Sequence, residues 1–157
     1  MSKISADDVV EIHQVLGLFT HVMDNMELDA LHLVVTEDVV IDPVGEGESD
    51  PEPIRGRETF RGLVALRTGA AADHHTLDPV VLVDEDGTVR ARSRFLAVGP
   101  DGSVSNGEYR DVLRRTPEGW RISYRRAFHR KPLVVAPSAG LPSGAWGARS
   151  GNVPTLS

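Results

Sequence analysis

The chain contains no cysteine, which excludes disulfide bridges, thiol nucleophiles and every thiolate metal site. It also lacks an excess of basic residues: 17 Lys+Arg stand against 23 Asp+Glu, a formal charge of −6. A binder of nucleic acid or of an anionic membrane needs a basic face, so neither partner is expected. No apolar run approaches the ~18 residues of a membrane span. The first twenty residues carry Asp7, Asp8 and Glu11 and do not read as a signal peptide. Missing too are a glycine-rich phosphate loop, a GxSxG elbow, an HExxH pair and a dinucleotide fingerprint. Nucleotide-dependent or zinc-dependent chemistry is therefore not expected, nor is a cofactor or metal. With 157 residues, at roughly 150 per domain, a single cytoplasmic domain is expected.

The first half of the chain is written in helical period. Ser5 suits an N-cap, Asp8 three residues later completes a capping box, and Ile4 with Val9 fits a hydrophobic staple. Val9, Ile12, Leu16, Phe19 and Met23 then form one apolar stripe that stops at Asp24-Asn25. A short second helical piece follows, with Leu28, Leu31 and Val34 inward, and Val39–Ile41 read as a strand. Residues 42–53 hold three Pro, two Gly and five carboxylates, which predicts a mobile, solvated loop. These acids lack the register of a calcium loop. A further helix is expected from Arg57 to about Thr68, with Phe60, Leu63, Val64 and Arg67 on one face, ended by Gly69.

The second half changes period. Thr76–Val83, Thr88–Val98, Val104–Arg115 and Trp120–His129 are β-rich runs separated by short turn signals. Such connections leave no room for crossover helices, so an antiparallel meander is expected, with Gly107 as a bulge site. Helices first and strands second predict an α+β fold: a curved, mostly antiparallel sheet forming a half-open cone, or α+β barrel, with the N-terminal helices packed against it. Its hollow would take a small ligand. The domain is expected over 1–131. Residues 132–157, rich in Pro and Gly, read as a tail. With Trp146 as anchor it suits a cover over the cone mouth or a neighbouring subunit, and equally a disordered end.

Two polar groups are placed to do chemistry. His74-His75 opens the first long strand, and adjacent strand residues point to opposite faces, so one ring should enter the cone. Asp24 ends the apolar stripe and shares the helical face of Phe19, Thr20 and Met23. If Asp24 met one histidine, the carboxylate would fix the imidazole tautomer and make a general base of the other nitrogen. Arg94, Asn106, Tyr109, Tyr124 and Arg126 are further candidates for the lining, the Tyr and Asn groups as donors to a developing oxyanion. On the last strand Trp120, Ile122, Tyr124, Arg126 and Phe128 share one parity, which brings Arg126 inward; the opposite parity would bring in Arg125.

A helix ending in Asp, then Glu-Asp-Val-Val-Ile-Asp, Arg-Gly-Arg-Glu, the His pair and the run from Gly107-Glu108-Tyr109 to Gly119-Trp120-Arg121-Ile122 resembles the SnoaL-like division of the nuclear-transport-factor-2-like superfamily. The resemblance covers roughly residues 5–131. Within that division the chain is most similar to the scytalone dehydratase and hexachlorocyclohexane dehydrochlorinase branch, whose enzymes use an Asp–His dyad without a cofactor. The resemblance puts the family Asp on Asp24 and the family His on His74. It departs at Met23, where an aromatic hydroxyl is common, and at Asp78, where Asn is usual.

The resemblance implies a cofactor-independent lyase or isomerase. It would be dehydratase- or cyclase-like, acting on a small apolar cyclic or polyketide-like metabolite, with Phe19 and Met23 among the lining. A non-catalytic ligand-binding or assembly module of the same fold is the rival. A third reading, epoxide hydrolysis, would need Asp24 and Asp42 to meet at an arginine. The sheet's outer face allows a homodimer, a homotrimer or a monomer.

Overall fold

Helix α1 (Ala6–Asp24) begins where the local signals put it: Ser5 accepts from the Asp8 amide and the Asp8 carboxylate accepts from the Ser5 amide. In this computed structural model residues 4–43, 51–67 and 72–130 are described. The apolar stripe of α1 becomes core, with Ile12, Leu16 and Val22 fully buried. A turn of 3-10 helix, Leu28–Leu33, seals one end by inserting Leu31. Helix α2 (Arg57–Ala65) is shorter than its pattern suggested. It buries Phe60 and Val64 but leaves Leu63 about half exposed. The acidic loop at 44–50, Gly69 and the tail at 132–157 lie outside the described residues.

The strands are β1 (Val35–Pro43), β2 (Ile54–Arg55), β3 (Asp73–Val83), β4 (Val89–Val98), β5 (Val104–Thr116) and β6 (Gly119–His129). They form one six-stranded sheet in the order β2-β1-β6-β5-β4-β3, curved and unclosed. β3 to β6 pair as an antiparallel meander. β1 joins β6 in parallel, a pairing that the long intervening chain, with β2, α2 and β3 to β5, makes possible. The architecture is α+β, with α1 packed over β3 and β6 and α2 against β1.

Gly107 is not a bulge. β4 and β5 pair there without a break, and the glycine serves close packing instead. An added Cβ would lie 2.2 Å from the Phe95 ring and 2.1 Å from the Phe128 carbonyl oxygen. The bulges are elsewhere. In β6 the register slips between Ile122 and Tyr124, so Ser123 is the extra residue. In β3 it slips between Leu77 and Val80, where Asp78 takes a φ of 51°, a left-handed conformation that Asp and Asn tolerate better than most residues.

The slip at Ser123 decides which side chains enter the cone. A one-residue shift moves every later side chain to the other face. Trp120 and Ile122 point into the main core, but beyond the bulge Arg125 is buried on that face, not Arg126. The inner face therefore carries His74, Thr76, Phe95, Tyr109, Asp111 and Arg125. The outer face carries Arg92, Glu108, Arg110, Tyr124 and Arg126, in register across β4, β5 and β6.

Candidate active site

Asp24, on the last turn of α1, and His74, at the start of β3, meet. The Asp24 carboxylate takes two bonds from this one residue: the His74 backbone N–H donates to Oδ2 at 2.6 Å, and ring Nδ1 bonds Oδ1 at 2.8 Å. A carboxylate can only accept here, so Nδ1 carries a proton, and in the neutral ring Nε2 is the nitrogen with the free lone pair. Nε2 has no partner among the described residues. Both side chains are mostly buried, 29% and 14% exposed for His74 and Asp24. Two residues along β3, the Thr76 hydroxyl reaches the Leu16 carbonyl of α1 and holds strand and helix together beside the pair. His75 takes the other face of the strand; it is exposed and lies 3.7 Å from Asp73.

Beside the pair runs an aromatic wall. The Phe95 ring centroid lies 6.4 Å from that of His74 and stacks on Tyr109 at 4.8 Å, with His129 edge-on at 5.5 Å. Gly107 opens the space in which Phe95 lies flat. Beyond Tyr109 stands Arg125, fully buried and stacked between the Tyr109 and Phe19 rings at 4.2 and 4.1 Å. Its Nε and Nη2 grip both oxygens of the buried Asp111 at 2.7 and 2.8 Å. Burial pushes the Asp111 carboxyl above its usual range, against the pull of Arg125. Burial also raises Tyr109, which keeps the phenol protonated and able to donate. Met23 is buried in the main core with Phe19.

The other expected lining residues are not here. Asn106 is exposed and pairs across to Leu96 on the outer face. Arg94 lies outside as well, 3.7 Å from Glu108. Tyr124 donates to Asp42 at 2.5 Å, and Arg126 approaches the same carboxylate at 3.5 Å. For Tyr124 and Arg126 the physical reason is the bulge at Ser123, which reverses the parity of the strand. Asp42 and Asp24 thus sit on different faces with different partners, and the Asp–Arg–Asp arrangement of an epoxide hydrolase is not assembled from them. The cavities whose walls are described also lie apart from Asp24 and His74. One of 270 Å³ opens on the outer face, and one of 660 Å³ lies between the 3-10 turn and the β5–β6 hairpin.

Asp111, Phe95 and His129 escaped the sequence reading as site residues, and Arg125 stood in it only as what the opposite parity of the last strand would bring inward. For Asp111 and Phe95 a signal existed: each lies at even spacing from an inward partner, Asp111 from Tyr109 and Phe95 from Ser93 and Ala91. His129 had none, and nothing in Ile122-Ser123-Tyr124 marks the bulge that decides for Arg125 over Arg126. Among the described residues no group of three His, Asp or Glu is placed to hold a metal ion, and no helix is long and apolar enough to cross a membrane.

The family model of the SnoaL-like domain matches residues 5–126. Among solved structures, a Novosphingobium aromaticivorans protein with the provisional name aromatic ring hydroxylase is 25% identical, with a TM-score of 0.67 over 83% of this chain and 94% of its own. Rv3472 of Mycobacterium tuberculosis, whose function is unknown, is also 25% identical, with a TM-score of 0.65 over 93% of this chain and 87% of its own. An NTF2-like protein with a cystatin-like fold, again from Novosphingobium aromaticivorans, is 24% identical, with a TM-score of 0.64 over 77% of this chain and 80% of its own. No curated protein matches.

Proposed function

The chain belongs to the SnoaL-like domain family, and from that premise we propose that it is a lyase or isomerase acting on a small, largely apolar, cyclic or polyketide-like metabolite. His74 removes a carbon-bound proton and Asp24 orients it. The observation that carries this reading is the two-point grip of Asp24 on the backbone and ring of His74, at 2.6 and 2.8 Å. A single hydrogen bond leaves an imidazole free to swing; two bonds to one carboxylate fix both its position and its tautomer.

Nε2 accepts the proton, and the resulting imidazolium is neutralised by Asp24 at Nδ1. The electron pair of the broken C–H bond forms a double bond. In an elimination that bond expels a leaving group from the neighbouring carbon; in an isomerisation it shifts and His74 returns the proton. The Tyr109 hydroxyl, on the aromatic wall itself, is a donor for an oxygen that gains charge on the way. Phe95 and Tyr109 give a flat apolar surface suited to a ring. The provisional name of one relative, aromatic ring hydroxylase, also fits a ring-bearing ligand.

The test is deuterium wash-in from D2O across a panel of cyclic ketones and β-diketones, followed by mass spectrometry. The wild-type chain is expected to speed exchange at a carbon next to a carbonyl. His74→Ala should lose roughly 10²–10⁴-fold of that rate, the range for a positioned base. Asp24→Asn, which keeps the shape but not the charge, should lose a large part of it. Exchange that persists in full without the imidazole would leave only a ligand-binding module of this fold.

A further inference from the structure

The outer face of the sheet holds a second polar assembly that the reaction above does not use. Arg90, Arg92, Arg94, Arg110 and Arg126 lie on it, against the carboxylates of Asp84, Glu108 and Asp42. Glu108 is completely buried and is shared: Arg92 reaches it at 2.8 Å, Arg110 at 3.0 Å and Arg94 at 3.7 Å. Among the described residues guanidinium groups exceed carboxylates here, although the chain as a whole carries a charge of −6.

Within the patch is the 270 Å³ cavity lined by Arg90, Arg110, Asp111, Val112, Tyr124, Arg126 and Phe128. Two of its arginines are held in place. Arg110 and Arg126 both lie over the Phe128 ring, at 4.8 and 5.2 Å, which fixes the plane of each fork before any ligand arrives. Arg110 spends its Nε on Glu108, and its Nη2 is buried with no acceptor among the described residues. A buried charged donor without an acceptor is costly and calls for an explanation. Tyr124 adds a hydroxyl at the wall, kept protonated because burial, with Asp42 beside it, pushes its phenol up to about 12. The rest of the wall is Val112, Phe128, the arginine stems and part of Asp111, whose two carboxylate oxygens are taken up by Arg125.

We propose that this cavity binds a small oxyanion, carboxylate or phosphate, carried on an apolar body. The guanidinium groups of Arg110 and Arg90 hold the charge, and Val112 and Phe128 pack the body. The site is separate from the Asp24–His74 pair, which lies on the other face of the sheet, and it does not depend on the activity proposed above.

Titration calorimetry at constant ionic strength tests this with benzoate and phenyl phosphate as probes and benzamide as the uncharged control. Saturable one-to-one binding of either anion is expected, at least tenfold tighter than benzamide, and the tighter anion identifies the oxyanion. Arg110→Met should weaken it at least tenfold. Arg90→Gln, at a partly exposed position that tolerates the change, should weaken it several-fold with the fold intact by circular dichroism. His74→Ala should leave the affinity unchanged. The proposal is overturned if benzamide binds as well as benzoate, if affinity survives both arginine changes, or if it falls with His74→Ala. It is also overturned if sedimentation shows a dimer that Arg90→Gln or Arg110→Met breaks, since the interface then lies on this face.

Discussion

The Arg125–Asp111 pair offers the sharpest test of how the interior is held. Both side chains are buried, 2% and 0% exposed, and their two bonds measure 2.7 and 2.8 Å. Removing one partner of such a pair strands a charge in a medium that cannot solvate it, at a cost of about 3–5 kcal/mol. Asp111→Ala should therefore lose about that much, and at ~2–4 °C per kcal/mol for a chain of this size the melting point should fall by roughly 10 °C. Arg125→Met strands the acid instead, and an acid can escape by taking a proton. Burial already raises Asp111; without Arg125 its folded pKa lies further above the unfolded value. The sign follows: this variant is least destabilised below the unfolded pKa and loses stability as pH rises through the folded one. Its deficit should be smaller at pH 5 than at pH 8. Asp111→Leu with Arg125→Met removes both charges together and should cost far less than the two single changes added. Urea unfolding followed by tryptophan fluorescence measures all three. Additive losses, or single changes costing under about 1 kcal/mol, would refute a tightly coupled buried pair.

Other perturbations follow from single contacts. Asp8 accepts from the Trp120 indole at 2.8 Å and the Ser5 amide at 2.9 Å and pairs with Arg115, which together hold its carboxyl far below the usual range. A depressed folded pKa means that its contribution is present above the unfolded carboxylate pKa and is lost as pH falls. Asp8→Ala should thus cost about 1 kcal/mol at neutral pH, as helix caps do, with the gap to wild type closing as pH drops from 5 towards 2 in acid-unfolding curves. Gly107→Ala would drive a methyl into the Phe95 ring and the Phe128 carbonyl. A loss of about 1–3 kcal/mol is expected, with shifted ring resonances of Phe95, Tyr109 and His129 by NMR. Asp78→Gly should be neutral or stabilising because φ is 51° there, whereas Asp78→Val should destabilise in the same melting assay.

Much of the fold was legible because its signals are local. Ser5 and Asp8 bond to each other three residues apart, and the turns at 84–87 and 99–102 carry their own Asp and Gly. Asp24 was conspicuous as a carboxylate ending an apolar stripe, and the choice of His74 over His75 came from a family resemblance rather than from spacing. What the sequence hid was long-range register. A bulge adds one residue without demanding a Gly or Pro, so Ile122-Ser123-Tyr124 reads as uninterrupted strand. Yet that one residue exchanges Arg126 for Arg125 inside and sends Tyr124 out.

The same bulge explains how one sheet carries two polar assemblies without mixing them. Adjacent residues diverge: Glu108 from Tyr109, Arg110 from Asp111, Arg126 from Arg125. Each carboxylate then finds an arginine on its own face, Glu108 with Arg92 and Arg110, Asp111 with Arg125. Were Ile122-Ser123-Tyr124-Arg125 paired as an unbroken strand, Arg125 would leave the inner face and Asp111 would stay behind, buried and unpaired. Deleting Ser123 removes the extra residue itself: Tyr124 then follows Ile122 with its side chain outward, and Arg125 stays opposite Asp111. The deletion should therefore spare the pair, and Asp111→Leu with Arg125→Met should show the same coupling in the shortened chain as in the full one by the same urea unfolding. A deletion that behaves like Arg125→Met, worse at pH 8 than at pH 5 and recovered by Asp111→Leu, would show that the bulge does not set the parity of the strand.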